Sequence, residues 1–584
     1  MTLASCLGKE VTTDEPTSDV SSDVTSDATL DGQGGPPEVT SDVEPMKPPA
    51  NDGRFFDTQR VYEVRITLAP EDWDTLRNQT RTLLDILGGE ECLAEPVASP
   101  FTWFSADVLV DGIEVTKVGV RKKGFLGSLD DVRPSLKVKL DEFVDDQNLD
   151  GLTRLTLNNA RQDPSKVNQC MSYELYAQVG VPAPRCSYVH LYVNEVDMGL
   201  YVNVESIKKD FLRRHFDHDD GNLYEGALSD FREGWLGTFE RKTNKSDLDR
   251  SDLDAIAAAA AAPDGELMDR LTPLVHMDRF FSMWAVDVLI NHVDGYAQNT
   301  NNFYIYRDLD GRFTFIPWGA DNTLIWNPEE QRPPAVMATG IVSHRLYRSP
   351  ETQQTYIARL QEVLETVWDE EALLAELDRQ QALIAPHVLA EEQDAMKNWL
   401  DLKRDFITTQ RERITASLTP TAPFWDVPLR EPPCLVEHGT INAAFDTTWG
   451  TLPVEDIFST GTGAIATVVD GAPWQVVATG SKAGSENLGE ARIIVAGALE
   501  PQSSPGGIIV LVVTVPQQRW VAGTPLPLGF GPGNGQIYRF FEGAQEPEFL
   551  GFLLEGTLNL EAAGATSGAA VKGNVSSPFY RFGP

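Results

Sequence analysis

The sequence predicts an α+β domain followed by an all-β, sandwich-like domain. Three observations predict it. Alternating strand-like runs are interspersed with helical periodicity as far as residue 419, five prolines crowd into 420–433, and beyond Cys434 Val, Thr and Gly dominate in short strand-like runs. A chain of 584 residues is long enough for several domains of ~150 residues and excludes a small disulfide-stapled scaffold. Against 48 Lys+Arg stand 87 Asp+Glu, a formal charge of −39 that disfavours nucleic acid and anionic lipid as general partners. No run approaches the ~18 consecutive apolar residues of a membrane-spanning helix.

Four segments are expected: 1–53, 54–419, 420–433 and 434–584. The first opens Leu3-Ala4-Ser5-Cys6, similar to a bacterial lipobox, although the basic and apolar parts of a signal peptide do not precede it. Cys6 is therefore a candidate lipid anchor, the alternative being a disordered cytosolic terminus; lipidation places the chain in the cell envelope or outside the cell. Four further cysteines, Cys92, Cys170, Cys186 and Cys434, allow up to two disulfides in an oxidising compartment, with the pairing open. Residues 11–51 are Ser, Thr, Asp, Glu, Pro and Gly with almost no aromatics and read as an acidic tether.

The folded part begins near Phe55. Val61–Ile66 alternates as a strand and Pro70-Glu71-Asp72-Trp73 opens a helix. Strands are expected at 101–110, 118–121 and 136–140, a helix at 165–179, and a pair of strands at 187–193 and 199–204. Residues 278–291 are apolar nearly all round, as in a buried helix; 303–306 and 313–317 flank the turn Asp308-Leu309-Asp310-Gly311; and 349–418 is helical. The alanine run Ala257–Ala262 reads as an exposed helix.

The sharpest constellation is His292-Val293-Asp294-Gly295-Tyr296-Ala297-Gln298-Asn299, the H-x-D-x-x-x-x-N spacing of a protein-kinase catalytic loop. There an aspartate accepts a hydroxyl proton beside the γ-phosphate, and an amide five residues on folds back toward a metal on that phosphate. Downstream, the apolar run Phe313–Trp318 ends in Gly319-Ala320-Asp321, where a kinase presents its metal-binding aspartate. Upstream, Arg121-Lys122-Lys123-Gly124 begins a basic turn and Lys137 and Lys139 lie on the next strand, positions from which backbone N–H groups and a lysine can meet phosphates. Glu174, on the following helix, could orient such a lysine.

These residues resemble the CotH kinase family, spore-coat protein H-like atypical protein kinases, over roughly Val61 to Thr415. The resemblance rests on Gly119–Gly124, Pro134–Lys139, Leu157-Asn158-Asn159 with Asp163-Pro164-Ser165, Val193-Asn194 and Gly199–Glu205. It continues through Gly221-Asn222-Leu223-Tyr224, Asp294, Asn301–Tyr306 and Pro317-Trp318. It implies an ATP-dependent serine kinase of protein substrates using Mg²⁺ or Mn²⁺. Asp294 would be catalytic; Arg121, Lys123, Gly124, Lys137 and Glu205 would serve the nucleotide; and Asp321 with Asn299, or neighbouring Asn301 and Asn302, would hold metal.

Two departures stand out. The family usually reads Trp-Asp-x-Asp where this chain has Trp318-Gly319-Ala320-Asp321, so one carboxylate is gone. Asn168-Gln169 replaces the usual arginine and acidic residue. Two functions follow: a kinase acting on a basic, serine-rich protein, or a catalytically inactive surface lipoprotein that keeps the fold as a binding scaffold.

Overall fold

Strand β1 (Val61–Thr67) buries every second residue, Tyr62, Val64 and Ile66, and so commits one face to a core. It pairs antiparallel with β2 (Phe104–Val110), which turns through Asp111 and Gly112, at φ 47° and 82°, into β3 (Ile113–Lys123). After β4 (Ser135–Lys139) and β5 (Arg154–Asn158) come β6 (Cys186–Val193) and β7 (Val196–Val204). Asn194 and Glu195 join the last two with φ 49° and 64°, the left-handed pair that a two-residue hairpin requires. The strands close into a barrel in the order β1-β2-β3-β4-β5-β7-β6, because β6 pairs in parallel with β1. In this computed structural model the described residues are 54–216, 218–327, 332–419, 427–485, 489–500, 506–529, 533–541, 544 and 546–583. The expected tether with Cys6, and residues 420–426 of the expected proline-rich linker, lie outside them.

Alternation on β3 and β4 does more than build a core. Val118, Val120, Leu136 and Val138 join the barrel interior, so Arg121, Lys123, Lys137 and Lys139 share the other face, with Arg121 opposite Lys137 in the register. Lys122, out of phase with them, is buried and donates to the Arg77 carbonyl at 2.6 Å.

A second antiparallel sheet runs β9-β8-β10-β11, from β8 (Asn222–Gly226), β9 (Glu240–Arg241), β10 (Phe303–Arg307) and β11 (Phe313–Pro317). Beneath it lies the helix Met277–Leu289, which buries every residue but Asp278 and Arg279. Its Trp284 stacks on Tyr356 at 3.7 Å between centroids and donates its indole N–H to the Met337 carbonyl at 2.6 Å. The helices Asn168–Gln178, Pro350–Thr366, Glu370–Ile384 and Gln393–Ser417 complete the same core. The alanine run is a correction to the sequence reading. Helix Ser251–Ala260 buries Leu253, Ile256, Ala259 and Ala260 against that core, because alanine's small side chain lets the helix approach closely.

From Leu435 the described residues form eleven strands, β12 (Leu435–Thr448) through β22 (Ala570–Phe582), in one sheet, with two short 3-10 turns at Ile457–Ser459 and Gln517–Arg519. Ile441 and Phe445 of β12 share a core with Ile493 and Ile509 from beyond the middle of the chain path, so the sheet curls over on itself. A seam joins this sheet to the first part of the chain: Leu83, Ile86, Leu93 and Trp235 pack with Leu435, Phe552 and Leu554, and Gly89 N–H donates to the Leu435 carbonyl at 3.0 Å.

The four described cysteines pair as Cys92–Cys434 and Cys170–Cys186, with Cα–Cα separations of 5.5 and 5.4 Å. The first crosses the seam. Cys434→Ser should lower stability by about 2–5 kcal/mol, read by urea denaturation under non-reducing conditions; in the wild type, peptides bearing Cys92 and Cys434 should stay joined after digestion until a reductant is added.

Candidate functional site

The buried helix Met277–Leu289 leads into a polar loop that precedes β10 of the second sheet. His292 is only 1% exposed; its backbone N–H donates to the Asp287 carbonyl at 2.7 Å, and its Nδ1 lies 3.2 Å from the Tyr176 hydroxyl, which also bonds Asp287. His292 therefore anchors the foot of the loop. A short helix, Tyr296–Asn299, follows and ends at Thr300 in the left-handed region, φ 46° and ψ 36°. Asn302 is left-handed too, at φ 50°.

This path turns three amides onto one carboxylate. Asp294 Oδ1 accepts from the Asn299 side chain and from Asn301 Nδ2 at 3.3 Å, while Oδ2 accepts from Asn302 Nδ2 at 2.7 Å. The resemblance implies Asn299, or neighbouring Asn301 and Asn302, at a metal; all three bond the same aspartate.

Strand β11 brings the second carboxylate. Gly319 sits at φ +57°, and a Cβ built on it would lie 2.4 Å from the Asn302 amide carbon. Asn302 occupies the space into which any side chain at 319 would project. Two residues on, Asp321 is pushed up to about 6 by burial, with the Lys123 cation opposing and the Asp294 and Asp163 charges adding to the rise. Lys123 itself is pushed down to about 8 by burial, against the pull of Asp321 and Glu225.

The Asn168-Gln169 departure has a local explanation. Asn168 Nδ2 donates to the backbone carbonyls of Asp321 and Thr323 at 2.7 and 2.9 Å, fixing the loop that carries Asp321. Gln169 Oε1 accepts from Asn158 Nδ2 at 2.7 Å, and Asn158 Oδ1 accepts from Lys123. Neutral amides position the lysine here.

The remaining expected residues divide. Lys137 is pushed down to about 8 by burial, with Glu225 opposing and Arg121, Lys123 and Lys242 adding to the fall. Glu225 on β8 was not singled out from the sequence, although it directly follows the quoted Gly221–Tyr224. Burial works to raise it, but Lys242 and Lys137, with hydrogen bonds from Lys242 and Tyr304, hold it down at about 2. Arg121 stacks on Trp103 at 4.9 Å and donates to Ser99 Oγ at 3.1 Å. Gly124, at φ 137°, turns the chain where a Cβ would come within 2.8 Å of Ser128 Oγ. Glu205 follows the end of β7 and is buried: its carboxylate is engaged by Arg185 at 2.8 Å and by Arg214, and its backbone N–H donates to the Arg185 carbonyl at 2.8 Å. Glu174 is a correction: it is exposed on the outer side of its helix and bonds Gln178, so it orients no cleft lysine.

Among the described residues no group of three or more His, Cys, Asp and Glu side chains could hold a metal. The available donors are the Asp294 and Asp321 carboxylates and nearby amide oxygens, an all-oxygen set. That set suits a hard cation that keeps phosphate and water among its ligands.

Comparison with known proteins agrees with the resemblance noted in the sequence. Residues 120–410 match the family model described as CotH kinase protein. The chain is also similar to inner spore coat protein H of Bacillus subtilis (strain 168), 21% identical over 264 residues, which cover 42% of this chain and 72% of that protein.

The raised Asp321 has a consequence for stability. The native state holds that proton more tightly than the unfolded chain, so stability falls as pH rises from about 4 to about 6. Asp321→Asn should flatten that stretch by an amount on the order of 3 kcal/mol, measured by urea denaturation at pH values on either side of the window.

Proposed function

Because residues 120–410 belong to the CotH kinase family, we propose that this chain transfers the γ-phosphoryl group of ATP to serine hydroxyls of a protein substrate. One observation carries the reading: Asp294, oriented by three amides, acts electrostatically on a second carboxylate, Asp321, which also feels the Lys123 cation. Asp294 would accept the proton of the serine hydroxyl as its oxygen attacks the γ-phosphorus. Lys123 and Lys137 would neutralise phosphate oxygens. Mg²⁺ or Mn²⁺, held by Asp321 with the Asn299 amide oxygen, would supply further charge neutralisation when bound. The Gly124 turn and Glu205 would border the nucleotide.

The cell envelope or the exterior fits this activity best. Two disulfides favour an oxidising compartment, the similar Bacillus protein is named for the inner spore coat, and Cys6 would carry a lipid anchor. No helix among the described residues is long and apolar enough to cross a membrane. The charge of −39 favours a basic, serine-rich substrate.

The inactive-scaffold reading has one specific support, the side-chain space at 319 filled by Asn302. Labelled ATP with Mg²⁺ or Mn²⁺ and a basic serine-rich peptide separates the two. Transfer by the wild type that falls by about 10²–10⁴-fold in Asp294→Asn supports the kinase; no transfer by folded protein with either metal supports the scaffold. Because a side chain at 319 collides with Asn302, which orients Asp294, Gly319→Asp alone should not raise activity, and the same assay checks it.

A further inference from the structure

Arg430 lies beyond the family-matched segment, in the stretch that leads from the last helix to β12, yet its guanidinium reaches the catalytic loop. It is 8% exposed, and its Nη1 donates to the Asn299 carbonyl and, at 2.8 Å, to Thr300 Oγ1. Those two groups close the short helix Tyr296–Asn299. The Asn299 carbonyl is among the acceptors that a helix leaves without an internal partner, and Thr300 is a β-branched residue held at φ 46°. Such a residue keeps a left-handed conformation only when its surroundings enforce it. Immediately afterwards Asn301 and Asn302 turn their amides onto Asp294.

The arginine is itself braced. Its backbone N–H donates to the Thr339 carbonyl at 3.0 Å, and its own carbonyl accepts from Arg232 Nη2 at 2.7 Å. Arg232 is fixed by Asp230 at 2.8 Å, and Asp230 accepts from the hydroxyl of Tyr296, at the start of the same short helix, at 3.0 Å. Four residues after Arg430, Cys434 is bonded to Cys92. The segment is thus pinned at one end under the loop and at the other to the first part of the chain.

We infer that Arg430 is a positioning residue for the catalytic loop, holding Thr300 in the left-handed turn from which Asn301 and Asn302 orient Asp294. The catalytic consequence rests on the kinase reading above; the structural consequence does not. The loop is therefore completed by a residue supplied from the approach to the C-terminal sheet, so that sheet and its linking segment serve the site.

Hydrogen exchange on the full chain tests the structural part, comparing wild type, Arg430→Met and Arg430→Lys in peptides covering 294–302 and, as a control, strand 113–123. Arg430→Met should speed exchange in 294–302 by about tenfold and leave the strand unchanged, with Arg430→Lys in between. In the transfer assay the Met variant should lose about ten- to a hundredfold in kcat with little change in KM for ATP, and Lys should recover part of the loss. If the wild type transfers no phosphate, the kinase reading falls, and loop exchange alone decides the role of Arg430. Unchanged loop exchange, or an equal rise in the control strand, overturns the inference. Should Arg430→Met not fold, Thr300→Val makes the same comparison by deleting the hydroxyl partner: faster loop exchange supports the inference and unchanged exchange overturns it.

Discussion

Three side-chain amides converge on the carboxylate of Asp294, and the local structure is arranged to allow it. A half-buried carboxylate needs hydrogen-bond donors where water is excluded. Bringing asparagines at 299, 301 and 302 to one acceptor demands a backbone that reverses sharply. Thr300 and Asn302 supply that reversal with positive φ angles. The absent side chain at Gly319 belongs to the same arrangement, since the Asn302 amide fills the space that a Cβ at 319 would need. The lost carboxylate and the amide cluster are two aspects of one packing solution.

Around this centre lies a set of partly buried charges. Lys123 and Lys137 are both pushed down to about 8 and Asp321 is pushed up to about 6, in each case chiefly by burial. Glu225 is held down at about 2, because two lysines and a tyrosine hydroxyl meet it. Burial thus works against the charge on both lysines and on Asp321. Phosphate oxygens beside the lysines and a cation beside the carboxylates would each favour the charged forms. Such electrostatic pre-organisation is what phosphoryl transfer draws on.

The connection between the two parts of the chain is physical as well as sequential. An apolar seam, a disulfide and a backbone hydrogen bond join the first hundred residues to β12. The same stretch of chain carries Arg430 to the loop that follows Asp294. A segment that composition describes as a linker therefore has its described end, from residue 427, fixed against the site.

Local periodicity explains what was legible in the sequence. Alternation places the barrel strands and, in the same stroke, the cations Arg121, Lys123 and Lys137 on one face; an all-apolar stretch predicts the buried helix; and the spacing of Asp294 and Asn299 survives as a direct contact. Family resemblance added the order of these pieces and the departure at Gly319. What local pattern could not contain is which distant group meets which. Glu174 has the right type and spacing but the wrong helical phase, whereas Glu225 gains its role from lysines on other strands. The alanine-rich helix is half-buried because a core lies beneath it, a fact absent from its own sequence. Cysteine pairing and the reach of Arg430 join residues 342 and 130 positions apart. The sequence by itself determined strands, helices and the chemistry each could offer, since these follow from neighbouring residues; tertiary structure alone decided which charges are buried together, since burial and partnership are properties of the packed chain.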